Sequence, residues 1–132
     1  MARILIVDDE EPIVTQQTLL LSAVGHLVTA AYSADQALEI LESERMFSLL
    51  ILDQHLGPKS GLQFLTELRD SERYRTLPVI VCSGDSQATA VTSFLPLQIA
   101  GFIVKPYQTD RFIAEIDRVL MINKTRLAGR AV

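Results

Sequence analysis

Five polar residues stand where apolar runs stop. Ile4-Leu5-Ile6-Val7 is followed by Asp8 and Asp9, Leu49-Leu50-Ile51-Leu52 by Asp53, Val79-Ile80-Val81-Cys82 by Ser83, and Phe102-Ile103-Val104 by Lys105. Carboxylates brought close together repel: two of them ~4 Å apart do so by about 4 kcal/mol at an effective dielectric near 20. Such a group must take up a proton or a cation. An all-oxygen donor set suits Mg²⁺, or Mn²⁺, with waters retained. Beside such an ion a carboxylate can attack a phosphoryl group, because the ion offsets the repulsion between two anions. An ammonium and a hydroxyl would then serve the remaining phosphoryl oxygens, and Lys105 and Ser83 supply them. The chain has only three lysines, and this one lies between an apolar run and a proline.

Elements that could gather these residues are legible in the pattern. Apolar runs at 3–7, 27–31, 49–53, 77–82 and 101–104 read as strands; Leu49–Asp53, four apolar residues and a carboxylate, reads as one buried on both faces. Between them lie helical segments. The first has Pro12 in its opening turn, Val14, Thr18 and Leu21 on one face, and Gly25 as its stop. The second opens on Ser33 and Gln36, spaced as a capping box, with Ala34, Ala37, Leu38 and Leu41 inward. The third turns Leu62, Leu65 and Leu68 inward. The fourth, over 87–97, carries β-branched residues and Pro96, which predict an end near Leu95. Thr109 caps the last, whose stripe is Phe112, Ile116, Val119 and Leu120. Residues 123–132 are expected to be a frayed tail or linker remnant, leaving 1–122 as the single domain.

Strand alternating with helix through short loops predicts right-handed crossovers and a doubly wound parallel sheet covered on both faces, a three-layer α/β/α (βα)5 domain. Ligands of such sheets gather beyond the carboxyl ends of the strands, and strands one and three are neighbours at the switch point. Asp8, Asp9 and Asp53 are therefore expected to converge.

Composition narrows the function. At 132 residues and 48% apolar the chain is long enough for one well-cored domain. Its apolar runs fall far short of the ~20 residues of a membrane span. No signal-peptide cleavage pattern follows Met1, and a lone cysteine fits a reducing cytoplasm. Cys82, inside a strand, is expected to pack rather than react. A formal net charge of −4 argues against nucleic acid as the main partner. Gly57–Gly61 superficially resembles a phosphate loop, but its spacing is wrong. His26, after a helix-ending glycine, is expected in solvent.

Together the segments Ile4–Glu10, Leu50–Asp53, Pro78–Gly84 and Phe102–Pro106 resemble the signature of the receiver domain of two-component response regulators, the CheY-like family. Ser83 lies thirty residues after Asp53 and Lys105 twenty-two after Ser83, separations similar to the family's, and the likeness runs from residue 3 to about 121. It implies a flavodoxin-like sheet of order 2-1-3-4-5. Asp53 is then the acceptor of a phosphoryl group from a histidine kinase or phosphotransfer protein. Asp9, Asp53 and the His55 carbonyl would hold Mg²⁺, with Asp8 acting through water. Ser83 and Phe102 would be switch residues, Lys105 would pair with the phosphoryl oxygens, and the Lys105-Pro106 bond would be cis. His55 and Asp85 would border the path of hydrolytic water and tune dephosphorylation. The output would be a protein target or a fused domain, engaged through the face of helix four, strand five and helix five, with homodimerisation as a further mode. Gly57 stands where the family usually has proline, which implies altered loop rigidity, and Gly84 replaces a common alanine.

Two other classes share parts of this pattern. A flavin-binding electron carrier has the topology, but Asp8-Asp9-Glu10-Glu11 would repel its phosphate. A phosphohydrolase working through an aspartyl-phosphate needs an acid two residues beyond its nucleophile, where this chain has His55.

Overall fold

The computed structural model describes residues 2–43, 46–84 and 88–130, with the side chains of 88–90 and 123–130 outside that description. Five strands alternate with five helices: β1 Arg3–Val7, α1 Glu11–Ala23, β2 Leu27–Ala31, α2 Ala34–Ser43, β3 Leu49–Asp53, α3 Gly61–Asp70, β4 Val79–Ser83, α4 Ala88–Phe94, β5 Gly101–Val104 and α5 Thr109–Arg130. The sheet is parallel throughout, in the order β2-β1-β3-β4-β5. Val7 pairs with Leu52, Asp53 with Cys82, and Ser83 with Val104. This register sets Asp8, Asp53, Ser83 and Lys105 along one edge of the sheet.

Alternation along the strands divides the core in two. Leu5, Val7, Leu50, Leu52, Val79 and Val81 face α2 and α3, burying Ala37, Leu41, Phe64, Leu65 and Leu68, with Phe94 of α4 beside them. Ile4, Ile6, Leu49, Ile51, Ile80 and Cys82 face the other way, onto Val14 and Leu21 of α1 and Phe112, Ile116 and Val119 of α5. Both faces of β3 and β4 are buried along their whole length, which explains their unbroken apolar sequence.

Local chemistry sets the boundaries. The Ser60 hydroxyl accepts the Gln63 N–H, and the Gln63 side chain accepts the Ser60 N–H, a complete capping box that starts α3. At α2 the Ser33 hydroxyl accepts the Gln36 N–H, but the Gln36 carbonyl reaches one residue further back, to the Tyr32 N–H. Pro96 ends α4 as expected: a single 3₁₀ turn, Leu95–Leu97, replaces the next α-turn and closes on Gln98 with φ of 57°. The Arg69 guanidinium fixes that turn, donating to the Leu97 carbonyl at 2.7 Å and to the Tyr74 carbonyl at 2.9 Å.

Four expectations need correction. β4 begins at Val79 rather than Leu77, because the Leu77 N–H closes a turn onto the Tyr74 carbonyl and Pro78 has no donor. Gln17, with Val14 and Leu21, is buried on α1, and Thr18 is only half-buried. His26 is half-buried, its Nδ1 accepting the Ala2 N–H at 3.1 Å. α5 runs on to Arg130 instead of fraying after residue 122; Lys124, Arg126, Leu127 and Ala128 are good helix formers with no proline to stop them.

Candidate functional site

Asp8 is the first residue beyond β1 and is 2% exposed. Its Oδ1 accepts the Glu10 N–H at 3.0 Å, which turns the chain into α1. Asp53 closes β3 at 6% exposure, and its Oδ2 accepts the His55 N–H at 3.0 Å. Lys105 leaves β5 with its N–H donating to the Ser83 carbonyl at 2.7 Å. Its Nζ donates to Asp53 Oδ1 at 2.7 Å and to Asp8 Oδ2 at 3.0 Å. One ammonium thus bridges two buried carboxylates drawn from residues 8 and 53.

The electrostatics follow from that crowding. Burial pushes the Asp53 carboxyl up, and the negative charge of Asp8 adds to the rise against the opposing hydrogen bond from Lys105. At Lys105 burial disfavours the charge, but the hydrogen bonds and charges of Asp53 and Asp8 prevail and its pKa is raised. Lys105 is therefore a fixed cation at neutral pH. Burial pushes the Cys82 thiol up to about 12, and the residue packs as an inert core group.

Carboxylate oxygens of Asp8, Asp9 and Glu10 lie within 4.8 Å of one another, with Asp9 and Glu10 exposed. Glu10 was not among the residues expected at the site, and Asp53 is not one of this trio; it meets Asp8 through Lys105. Four carboxylates served by one ammonium leave a surplus of negative charge, and every candidate donor is an oxygen. That set fits a hard divalent ion such as Mg²⁺ better than a thiophilic one.

Ser83 is fully buried, and its hydroxyl donates to Gln54 Oε1. Phe102 is half-buried, its ring 6.3 Å from that of Phe94 and tilted by 57°. His55 has an exposed side chain. Asp85, its expected partner, lies outside the described residues. The Lys105-Pro106 bond is cis. Gly57 has φ of 83°, a conformation closed to the proline usual there, whose ring holds φ near about −65°. A Cβ on Gly84 would meet nothing within 4 Å, so sterics do not demand glycine in place of alanine.

Sequence reasoning missed two supports. Gln54 follows the buried end of β3 and reaches a residue 29 positions away, which no local pattern signals. Gly61 is the tighter case. A Cβ there would lie 2.3 Å from the Asp53 carbonyl oxygen, and its N–H donates to the Gln54 carbonyl at 2.9 Å. A glycine at the first turn of a helix, just past a strand-end carboxylate, was the available sign.

Sheet order, strand-end acids and bridging lysine define a doubly wound α/β domain with an acidic site at its switch point. The family model of the response regulator receiver domain matches residues 4–117. The two-component response regulator ORR5 of Oryza sativa subsp. japonica is 31% identical over 93 residues, covering 70% of this chain and 69% of the relative. The solved structure of NtrX from Brucella abortus superimposes with a TM-score of 0.90 at 32% identity, over 98% of this chain but 29% of that one. The chemotaxis protein CheY4 of Vibrio cholerae shares the fold at a TM-score of 0.84 and 24% identity, covering 90% of this chain and 98% of its own. The chain belongs to the receiver-domain family of two-component response regulators. Among the described residues no helix is long and apolar enough to cross a membrane.

Proposed function

We propose that this receiver is a phosphorylation-controlled switch in which Asp53 accepts a phosphoryl group from a phosphohistidine on a sensor kinase or phosphotransfer protein. The observation that carries this reading is the Lys105 ammonium shared between Asp53 and Asp8. An Asp53 carboxylate oxygen attacks phosphorus, the N–P bond of the donor breaks, and the histidine nitrogen leaves with the electron pair. Lys105 neutralises the anion that forms, and the Ser83 hydroxyl exchanges Gln54 for a phosphoryl oxygen. Phe102, now beside Phe94, turns further inward. Asp9, Asp53 and the His55 carbonyl would hold Mg²⁺ (or Mn²⁺), with Asp8 acting through water; the ion when bound offsets the repulsion between carboxylate and phosphoryl group. The domain cycles between two states and turns over no further substrate.

The change is passed on at the face of α4, β5 and α5. A groove of about 720 Å³ along β5 and α5, lined by Phe102, Val104, Tyr107, Arg111 and Arg118, supports a protein target, a fused output domain or a second copy as its reader. Residues 1–122 form the receiver, and 123–132 are its tail or a link to an output domain. We place its work in the cytoplasm, where kinase and target would meet it.

Intact mass after treatment with acetyl phosphate and Mg²⁺ tests this. One phosphoryl group should add to the wild-type chain and none to Asp53→Ala; uptake by the variant would move the acceptor elsewhere. His55 and Asp85 are proposed to shield the phosphoryl group from water. The His55→Ala chain should then lose it severalfold faster, and an unchanged rate of loss would exclude the histidine from that role.

A further inference from the structure

Beneath the site, on the α1/α5 side of the sheet, lies a polar contact that the acceptor chemistry does not use. Gln17 is 1% exposed in the middle of α1. Its Nε2 donates to the Tyr107 hydroxyl at 2.9 Å, and the amide also neighbours the Cys82 thiol. Its Oε1 is buried without a partner among the described residues. The Tyr107 ring stacks on Phe112 of α5, centroids 4.9 Å apart and planes 17° from parallel.

A buried amide with an unmatched carbonyl is a poor device for stability. Leaving such a group unsatisfied is costly, and an apolar side chain of similar shape would avoid that penalty. Its placement serves something else. Tyr107 is two residues beyond Lys105, in the short segment between β5 and α5. That segment must hold the Lys105 ammonium on two carboxylates at once. At its start it is held by the Lys105 N–H on the Ser83 carbonyl. At Tyr107 it is held by the stack on Phe112 and the bond from Gln17, and this last tie reaches across to the helix that opens just after Asp8 and Asp9.

We propose that Gln17 is a positioning residue: through the Tyr107 hydroxyl it fixes the segment carrying Lys105 and so holds the ammonium on Asp53 and Asp8. The geometric part stands on the contacts alone; its kinetic consequence rests on the acceptor role of Asp53. Misplacement of a reacting group by about 1 Å can cost 10²-fold in rate, so loss of one tie is expected to cost about tenfold.

Phosphoryl uptake from acetyl phosphate at saturating Mg²⁺ is to be timed for Gln17→Leu, Tyr107→Phe and the double variant, each also made with Lys105→Ala. Each single change should slow uptake about tenfold, the double should be no slower than either, and none should slow the Lys105→Ala chain further. Thermal midpoints should hold or rise for Gln17→Leu and the double variant and fall for Tyr107→Phe, which strips the buried amide of its partner. Unchanged rates, or equal slowing without Lys105, would overturn the proposal. Crystal structures of wild type and Gln17→Leu supply the readout independent of phosphorylation: the Lys105 contacts with Asp53 and Asp8 should be present in the first and broken in the second. Unaltered contacts refute the positioning role whatever the rates. Uptake by Asp53→Ala, or none by wild type, with contacts broken as expected, would instead refute the acceptor reading and leave the positioning role standing.

Discussion

An Asp53→Asn chain is expected to be more stable than wild type at neutral pH in metal-free buffer, while taking up no phosphoryl group. The cause is the buried carboxylate itself. Burial and the neighbouring Asp8 charge raise the Asp53 pKa in spite of Lys105, so the ionised form is strained in the folded state. The folded chain binds this proton more tightly than the unfolded chain, whose aspartates titrate near about 4. Where the native state holds more protons than the unfolded one, stability falls as pH rises. The wild type therefore loses this contribution as pH climbs from about 4 through the raised native value. Asparagine cannot ionise and is spared the loss. Denaturant unfolding of both chains as a function of pH gives the check: the gap should be small in acid, open with rising pH, and narrow on adding Mg²⁺. A wild type that is the more stable at pH 7 would show that the pairing with Lys105 outweighs the desolvation.

Among the described glycines, Gly61 meets the closest obstruction, and Gly61→Ala is expected to be severely damaging. Its Cβ would sit 2.3 Å from the Asp53 carbonyl oxygen and 3.2 Å from Gln54 Cα and its carbonyl oxygen. These are backbone atoms, so no side chain can swing aside. Relief requires either β3 or the start of α3 to shift, and the bond from the Gly61 N–H to the Gln54 carbonyl is lost with it. Overpacking of a rigid site costs about 1–3 kcal/mol and occasionally more; about 3 kcal/mol is expected here. Because the obstructed atom belongs to Asp53, phosphoryl uptake should fall at least tenfold even where the variant remains folded. Gly84→Ala, which meets open space, is the control and should leave stability within about 0.5 kcal/mol. Equal stability of the Gly61→Ala and Gly84→Ala chains would contradict the steric account.

The contrast between these two glycines marks the boundary of what the sequence makes legible. Strands buried on both faces must be apolar throughout, so Leu49–Leu52 and Val79–Cys82 declare themselves, and the parallel sheet fixes which polar residues share an edge. Asp8, Asp53 and Lys105 are found that way. Gln17 was passed over because helical periodicity counts apolar residues, although it stands at the buried position between Val14 and Leu21. Glu10 carries no sign of its own, since an acid at a helix N-terminus needs no other explanation. Ser60 and Gln63, which form the complete capping box, have the same spacing as Ser33 and Gln36, so the start of α3 is legible by the same pattern. No spacing rule reaches the Ser83 hydroxyl bond to Gln54, which exists only once distant strands have paired, or the lack of room for a methyl group at Gly61.

The divided core bears on how a signal leaves the site. The sheet acts as a partition between two dry compartments. Phe102 leans into one of them beside Phe94, whereas Tyr107 belongs to the other beside Phe112. Lys105 sits between these two rings in sequence, at the tip of the partition. If phosphorylation displaces its ammonium, as proposed, each compartment offers an exit, and a reporter attached to one side of the molecule would record only half of the message.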